Sequence, residues 1–231
     1  MVTAVGFDLD GTLFDHEGAA RSAIVTFLTT REWIHPGDAG VAWLQLEDVH
    51  FHEYTAGSIS FQEQRRRRMR GLLDSIGLEP DAHDVDGLFA DYLDHYRSAW
   101  VPYSDVAATL SELRSMGLVL AVLTNGEQAQ QEDKLRRMGV FDEFDAVLAA
   151  SDLPAFKPSR LAFEALCAAV NQPASSVAYV GDDLAVDAIG ARAAGLTSVW
   201  IDRHGRGGEP DDVPAITSLT ELPGHIRALA G

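Results

Sequence analysis

The amino-acid sequence predicts an α/β fold, in which a parallel sheet carries helices on both faces and a separate helical segment is inserted early in the chain. Three observations predict it. Short apolar runs such as LVLAVL and SVAYV alternate with helical stretches after Pro102, as is typical of a sheet buried on both faces. A similar run, Val2 to Leu9, stands alone at the start. Between them, residues 16–100 show only helical patterns.

The first predicted element is a buried strand that starts with β-branched residues and ends near Asp8, before the turn Asp10-Gly11-Thr12. Four helical stretches follow, separated by turn signals such as Pro36-Gly37 and Pro80-Asp81. Because the first strand has no partner before these helices, it must pair within the later sheet. The predicted domains are therefore a Rossmann-like core, residues 1–15 and 101–231, and an inserted helical cap domain, residues 16–100.

The later part of the chain predicts strands and helices in alternation. Helices are expected over 105–116, 128–138, 160–170 and 184–194 and near the terminus, and strands over 118–124, 145–149, 177–180 and 198–201.

The composition excludes some partners. The formal net charge of -17, from 35 acidic and 18 basic residues, argues against nucleic acid or an anionic membrane as the main partner. The chain has no apolar run of the roughly 20 residues that span a bilayer, and no signal-peptide pattern. The single cysteine, Cys167, lies in an apolar helical pattern and fits a reducing compartment. We expect a cytoplasmic monomer or homodimer.

Polar side chains follow four of the predicted strands. Because open parallel sheets bind ligands at the carboxyl ends of their strands, these groups are expected to lie close together. Carboxylates, a lysine, a hydroxyl and an amide are the groups that phosphoryl transfer through a metal needs. The four sets are Asp8-Leu9-Asp10-Gly11-Thr12, Thr124-Asn125-Gly126, the loop from Ser151 to Pro158 with Lys157, and Gly181-Asp182-Asp183.

The segments FDLDGTLFD, LTNG, Lys157-Pro158 and VGDDLAVDAIGARAAG, in that order, resemble the four motifs of the haloacid dehalogenase (HAD) superfamily. The position of the insertion resembles the subfamily with a helical cap between the first and second motifs. Within that subfamily, TNGEQAQQEDKL is similar to a pattern of pyrimidine nucleotidases and acylneuraminate phosphatases, and YVGDDLAVD is similar to flavin mononucleotide phosphatases.

This resemblance implies a role for each candidate residue. Asp8 would be the nucleophile and Asp10 the general acid–base group, with Thr124 and Lys157 completing the catalytic set. Phosphate would be bound by Gly11, Thr124, Asn125 and Lys157. Mg²⁺ would be held by Asp8, the backbone carbonyl of Asp10, and Asp182. Asp183 and Asp187 are candidates for contacts to metal-bound water or for orienting Lys157.

The predicted function is Mg²⁺-dependent hydrolysis of a small phosphomonoester, such as a nucleotide, flavin mononucleotide or sugar phosphate, through an aspartyl-phosphate. A 2-haloacid dehalogenase is one alternative, although that family has no acidic residue two positions after the nucleophile, where this chain has Asp10. A phosphoglucomutase-like transferase and a non-catalytic phosphate-binding module are the others. We expect the helical cap to determine which small phosphorylated metabolite is accepted, and the arginine run at 65–68 to form a solvated helix face.

Overall fold

A computed structural model of the protein describes residues 1–205, 207 and 213–228; residues 206, 208–212 and 229–231 of the predicted core lie outside this range. The chain divides into two compact units, one formed by Met1–Asp15 and Val101–Gly231 and the other by His16–Trp100.

The described part of the first unit contains a parallel sheet of six strands, in the order β3-β2-β1-β4-β5-β6. The strands are β1 (Ala4–Phe7), β2 (Val119–Thr124), β3 (Ala146–Ala149), β4 (Val177–Gly181), β5 (Thr197–Ile201) and β6 (Ala215–Ile216). The first strand of the chain pairs with β2 on one side and β4 on the other. The predicted α/β fold, in which β1 joins the later sheet, is therefore confirmed.

Helices of the first unit cover the sheet. They are α5 (Val106–Ser115), α6 (Gln128–Arg137), α7 (Arg160–Ala169), α8 (Gly190–Ala193) and α9 (Leu222–Ala228). On one face, Phe163 and Leu166 of α7 pack with alternate residues of the strands, such as Leu123 and Tyr179. Successive strand residues point to opposite faces, and the intervening residues, such as Val122 and Val180, are also fully buried.

Two elements differ from the prediction. The helix expected over 184–194 begins as a π-helical turn, Leu184–Ile189, and only its end, α8, is α-helical. Such turns change the direction of one side chain and occur often at functional sites; here Asp187 packs against Gly181 so closely that a Cβ atom on the glycine would overlap it. Strand β6 has only two residues, too few to show a periodicity.

The second unit consists of α1 (His16–Thr29), α2 (Ala39–Thr55), α3 (Phe61–Ser75) and α4 (Val85–Ser98). Asp38, Ser60 and Asp84 cap α2, α3 and α4 by accepting hydrogen bonds from backbone N–H groups. The arginine run of α3 is not wholly solvated, because Arg68 is 5% exposed and donates to Glu47 at 2.9 Å. Among the described residues of the chain, every helix is too short or too polar to cross a membrane.

Candidate active site

Asp8 follows β1 directly, at the carboxyl end of this central strand. Its backbone N–H donates to the carbonyl oxygen of Val180 at 2.8 Å, which extends the ladder between β1 and β4. The two strands beside β1 end at Thr124 and Gly181. Because the strands are parallel, these ends meet at one edge, where open α/β sheets bind ligands. Asp8 is 7% exposed, so the predicted nucleophile lies in a largely water-excluded position.

Lys157 lies beside Asp8, and its side chain makes three hydrogen bonds within the protein. Its ammonium group has three N–H donors, which reach Asp8 Oδ1 at 2.6 Å, Asp187 Oδ1 at 2.7 Å and the Tyr179 hydroxyl at 2.9 Å. The tyrosine donates in turn to the carbonyl of Leu123 at 2.8 Å. Burial alone would lower the pKa of Lys157, but the charges of Asp187 and Asp8 raise it well above its ordinary value. Lys157 is therefore a fixed cation.

Three carboxylates converge here, those of Asp8, Asp182 and Asp187, with one oxygen of each within 4.8 Å of the others. Burial raises the pKa of Asp8 well above its ordinary value; the charge of Lys157 opposes this shift and that of Asp187 adds to it. Burial and the charge of Asp187 raise the pKa of Asp182 to about 7. The cluster therefore holds more negative charge than one lysine neutralises, and a bound cation would relieve it.

Gly11 lets the loop after Asp8 pass close to Asp182. Its φ is 90°, in the left-handed region that favours glycine. A Cβ atom at this position would overlap the Asp182 carboxylate. The next residue, Thr12, donates its hydroxyl to Asp182 Oδ1 at 3.2 Å. Gly11 is thus required by conformation and by packing. Thr12 is a contact of the site to which the sequence assigned no role, although it lies in the predicted strand-end set.

The side chain of Asp10 is held by two residues of α6. Lys134 contacts carboxylate oxygen Oδ1, and Gln131 Nε2 donates to Oδ2 at 2.8 Å. Sequence reasoning missed both residues. Their spacing of three residues could have indicated them, because it places both side chains on one face of the predicted helix that follows Thr124.

Thr124 and Asn125, which the sequence predicted to bind phosphate, make contacts within the protein. The Thr124 hydroxyl accepts from Gln131 Nε2 at 3.0 Å and from the backbone N–H of Gly126 at 3.2 Å. The Asn125 amide pairs with the backbone of Lys157: its Oδ1 accepts from the N–H at 2.8 Å, and its Nδ2 donates to the carbonyl at 3.0 Å. Asn125 thus connects the loop after β2 to the loop that contains Lys157.

The two acidic residues that the sequence left as alternatives have different surroundings. Asp183 is exposed, and its Oδ1 accepts from the backbone N–H groups of Ala185 and Val186 at 2.8 Å each, so it caps the π-helical turn. Asp187 is 2% exposed and accepts from Lys157. Of this pair, Asp187 is therefore the one that orients Lys157.

Comparison with known proteins assigns the family. The sequence profile of the haloacid dehalogenase-like hydrolases matches residues 2–195, most of the chain. The chain belongs to the haloacid dehalogenase-like hydrolase family. The resemblance seen in the four motifs is thereby confirmed, and this HAD-like hydrolase is an enzyme.

Both phosphatases and dehalogenases are relatives of this hydrolase. Glyceraldehyde 3-phosphate phosphatase of Methanopyrus kandleri is 31% identical to it over 241 residues, which cover 100% of this chain and 99% of the relative. (S)-2-haloacid dehalogenase of Pseudomonas sp. (strain YL) is 28% identical over 232 residues, 96% of this chain and 94% of the relative.

The fold also has solved counterparts. The magnesium-bound HAD hydrolase YfnB of Bacillus subtilis superposes with a TM-score of 0.82 over 97% of this chain and 98% of its own, at 23% identity. At that identity the likeness concerns the fold, so the choice between phosphoester and carbon–halogen hydrolysis depends on the side chains of the site.

Asp182 is expected to make the metal-free hydrolase less stable as the pH rises. Its folded-state pKa of about 7 lies above the ~3.9 of an unfolded aspartate. Between these values the folded state holds a proton that the unfolded state has lost, so the free energy of unfolding falls with rising pH. The measurement is urea unfolding in EDTA at several pH values.

Asp182→Asn is the matched variant, because it removes the titrating carboxyl group and keeps its shape. Some other carboxylates titrate in the opposite sense; Asp86, for example, has its pKa lowered to about 2 beside Arg66. The quantity to compare is therefore the wild-type stability minus that of the variant. This difference should decrease from about pH 4 to about pH 7 in EDTA and change less with saturating Mg²⁺, which competes with the proton. A constant or increasing difference in EDTA would contradict the prediction.

Proposed function

We propose that this hydrolase is a Mg²⁺-dependent phosphatase that acts on a small phosphomonoester through an aspartyl-phosphate on Asp8. The observation that carries the proposal is the cluster of Asp8, Asp182 and Asp187 beside Lys157. At ~4 Å and an effective dielectric constant of ~20, two like unit charges repel by about 4 kcal/mol. A phosphate dianion would therefore approach this cluster only with a further cation to offset the repulsion.

The residues present fit a magnesium ion. Carboxylate and carbonyl oxygens are the hard ligands that Mg²⁺ prefers. The ligands that we propose are Asp8, the backbone carbonyl of Asp10, and Asp182, while Asp187 accepts from Lys157. When bound, the ion would offset the negative charge and polarise the phosphoryl group.

Asp8 is proposed to attack the phosphorus atom, so that a bond from its carboxylate oxygen to phosphorus forms while the bond to the leaving oxygen breaks. Asp10 starts this step in its protonated form and gives its proton to that leaving oxygen. In the second step water attacks phosphorus, the bond to Asp8 breaks and a proton of the water passes to Asp10. Inorganic phosphate leaves, and both aspartates return to their starting states.

Other residues position and stabilise the reacting groups. Lys157 holds one oxygen of Asp8 and offers a fixed positive charge to the phosphate. The Thr124 hydroxyl accepts in both of its described bonds, so its own hydrogen can be donated to a phosphate oxygen. The turn at Gly11 allows backbone N–H groups to point at the phosphate. Asn125 positions Lys157 through its two hydrogen bonds to the backbone of that residue.

A 2-haloacid dehalogenase is the second candidate, because such an enzyme is a relative. The acidic side chains favour the phosphatase. A halide is a weak base that leaves carbon without a proton donor, so Asp10 would have no leaving group to protonate in that reaction. A haloacid carries one negative charge instead of the two of a phosphate dianion, so its approach to the cluster depends less on an added cation. Burying Asp182 beside Asp8 and Asp187 would then cost stability and serve no purpose.

Phosphate release from p-nitrophenyl phosphate and from a panel of small phosphomonoesters is expected with Mg²⁺ and not after chelation by EDTA. Ca²⁺ should restore less activity, because it takes more ligands at longer distances. A parallel incubation with 2-chloropropionate should release no chloride. Chloride release without phosphate release would identify a dehalogenase. Transfer of the phosphoryl group to an added sugar phosphate would identify a transferase. Full turnover with Ca²⁺ alone would contradict the metal assignment.

We propose that the helical unit, residues 16–100, acts as a cap and sets the choice of phosphomonoester. It enters the sequence shortly after Asp8. A relative that acts on glyceraldehyde 3-phosphate supports a small metabolite, such as a sugar phosphate, nucleotide or flavin mononucleotide. Small phosphomonoesters should therefore exceed a phosphopeptide in kcat/KM, and the reverse order would contradict this proposal. A cytoplasmic location, a monomeric or homodimeric state and the lack of nucleic-acid or membrane partners remain predictions.

A further inference from the structure

Among the 18 basic residues of the chain only two are lysines, Lys134 and Lys157. Lysine is normally a surface residue, yet these two are 0% and 4% exposed. Each contacts a carboxylate of the loop after β1: Lys157 contacts Asp8, and Lys134 contacts Asp10. The proposed function uses Lys157 and leaves Lys134 without a role.

Lys134 and Gln131 hold the Asp10 carboxylate at both oxygens. The lysine contacts Oδ1, and the glutamine donates to Oδ2 at 2.8 Å. Gln131 Nε2 also lies 3.0 Å from the Thr124 hydroxyl, so the first and second motifs are joined through this side chain. The Lys134 ammonium lies 4.8 Å from the centre of the Phe14 ring, a further favourable contact for a cation. With both oxygens bound, rotation of the carboxylate is restricted.

The exposure of the partners shows which group can meet a substrate. The Asp10 side chain is 29% exposed, whereas that of Lys134 is 0% exposed and Gln131 is 1% exposed. A substrate oxygen or a water molecule can therefore reach Asp10 and not the two residues behind it. An ion pair with a fully buried lysine is costly to desolvate, and apolar side chains in place of both partners are often as stable or more so. Stability alone thus gives little reason for a lysine at this position.

We propose that Gln131 and Lys134 are positioning residues, which fix the orientation of the Asp10 carboxylate for both of its proton transfers. This inference rests on the proposed function. Without the contacts from Gln131 and Lys134, the Asp10 side chain would sample other rotamers. A displacement of a reacting group by about 1 Å can cost about 10²-fold in rate. The effect should fall on the steps that need Asp10, and not on binding of the phosphate or the metal.

The test compares Lys134→Met and Gln131→Leu with the wild type, on an alkyl phosphate and on p-nitrophenyl phosphate. For the alkyl phosphate, kcat should fall ~10- to 100-fold, while KM stays within about twofold. The p-nitrophenolate group leaves without a proton, so its release should keep its first-turnover rate and then slow. The phosphoenzyme should accumulate, because water still needs Asp10 as a base. Arg137→Met, which removes an exposed cation from the same helix, is the control and should match the wild type.

A structural role would give a different result. If the two side chains only stabilise the fold, both substrates should slow equally, with no burst of p-nitrophenolate, and this outcome would overturn the inference. If Lys134→Met fails to fold, Gln131→Leu carries the test. If the wild type hydrolyses phosphomonoesters and both variants are equally active, the positioning role of Gln131 and Lys134 is wrong, while the proposed function stands. A wild type that hydrolyses no phosphomonoester would overturn the proposed function and the positioning role together.

A second readout needs no turnover. With ¹⁵N-lysine labelling, the side chains of this chain give only two ammonium signals, and Lys134→Met assigns them. Asp10→Asn should shift the Lys134 signal, and a crystal structure of Lys134→Met should show the Asp10 carboxylate in a changed or divided orientation. An Asp10 side chain that keeps its orientation without Lys134 would overturn the proposal.

Discussion

The Asp8→Asn variant is expected to lose its phosphatase turnover, by on the order of 10⁴-fold or more, since the loss of a nucleophile costs up to about 10⁶-fold in other covalent enzymes. An asparagine amide does not replace the carboxylate oxygen that binds phosphorus, so no phosphoenzyme should form. The fold should tolerate the change. Asp8 lies in a cluster with surplus negative charge, so a neutral side chain relieves repulsion, and the free energy of unfolding in EDTA should be unchanged or higher.

The measurement combines steady-state phosphate release, mass spectrometry of the acid-quenched protein and urea unfolding. Asp133→Asn is the matched control, because it removes the same charge from a partly exposed position of α6, where Asp133 pairs with Arg137. Surface pairs of this kind contribute ~1 kcal/mol or less, so its activity and stability should match the wild type. A phosphoenzyme in Asp8→Asn, or turnover above a few per cent of wild type, would show that Asp8 is not the nucleophile.

The Lys157→Met variant is expected to lose both activity and stability. Lys157 is the cation in contact with two buried carboxylates, Asp8 and Asp187, and removing one partner of a buried ion pair typically costs about 3–5 kcal/mol. Turnover should fall by at least ~10²- to 10³-fold, the effect of deleting one group that stabilises transition-state charge. Urea unfolding in EDTA and steady-state kinetics with Mg²⁺ measure the two losses.

Magnesium should separate the two effects. A cation bound by the carboxylates offsets part of the lost charge, so saturating Mg²⁺ should raise the free energy of unfolding more in Lys157→Met than in the wild type. It should not restore turnover, because the lysine also holds Asp8 in place. Arg160→Met removes an exposed cation nearby and should leave both quantities unchanged. An unaltered stability of Lys157→Met, or full activity with Mg²⁺, would contradict the role assigned to Lys157.

The amino-acid sequence alone predicts the α/β fold and the residues that lie at the carboxyl edge of the sheet. Apolar runs and helical periodicity are local properties of the chain, and they predicted five of the six strands of the described sheet. That the first strand pairs with later ones followed from its lack of an earlier partner. Parallel strands place their carboxyl ends at one edge of a sheet, so the sequence could group Asp8, Thr124 and Asp182, and the structure shows that β1 pairs with both β2 and β4.

The tertiary structure alone decided which side chains contact one another. Asn125, which the sequence predicted to bind phosphate, contacts the backbone of Lys157. Asp187, and not Asp183, reaches the Lys157 ammonium group. Lys134 and Gln131 meet Asp10 from positions 124 and 121 residues away. The physical reason is that such contacts depend on strand order, on how α6 packs and on the π-helical turn that directs Asp187. None of these features leaves a periodic pattern in the local sequence. Residue type and spacing therefore predicted which chemical groups lie at the carboxyl edge of the sheet, but not the hydrogen bonds between them.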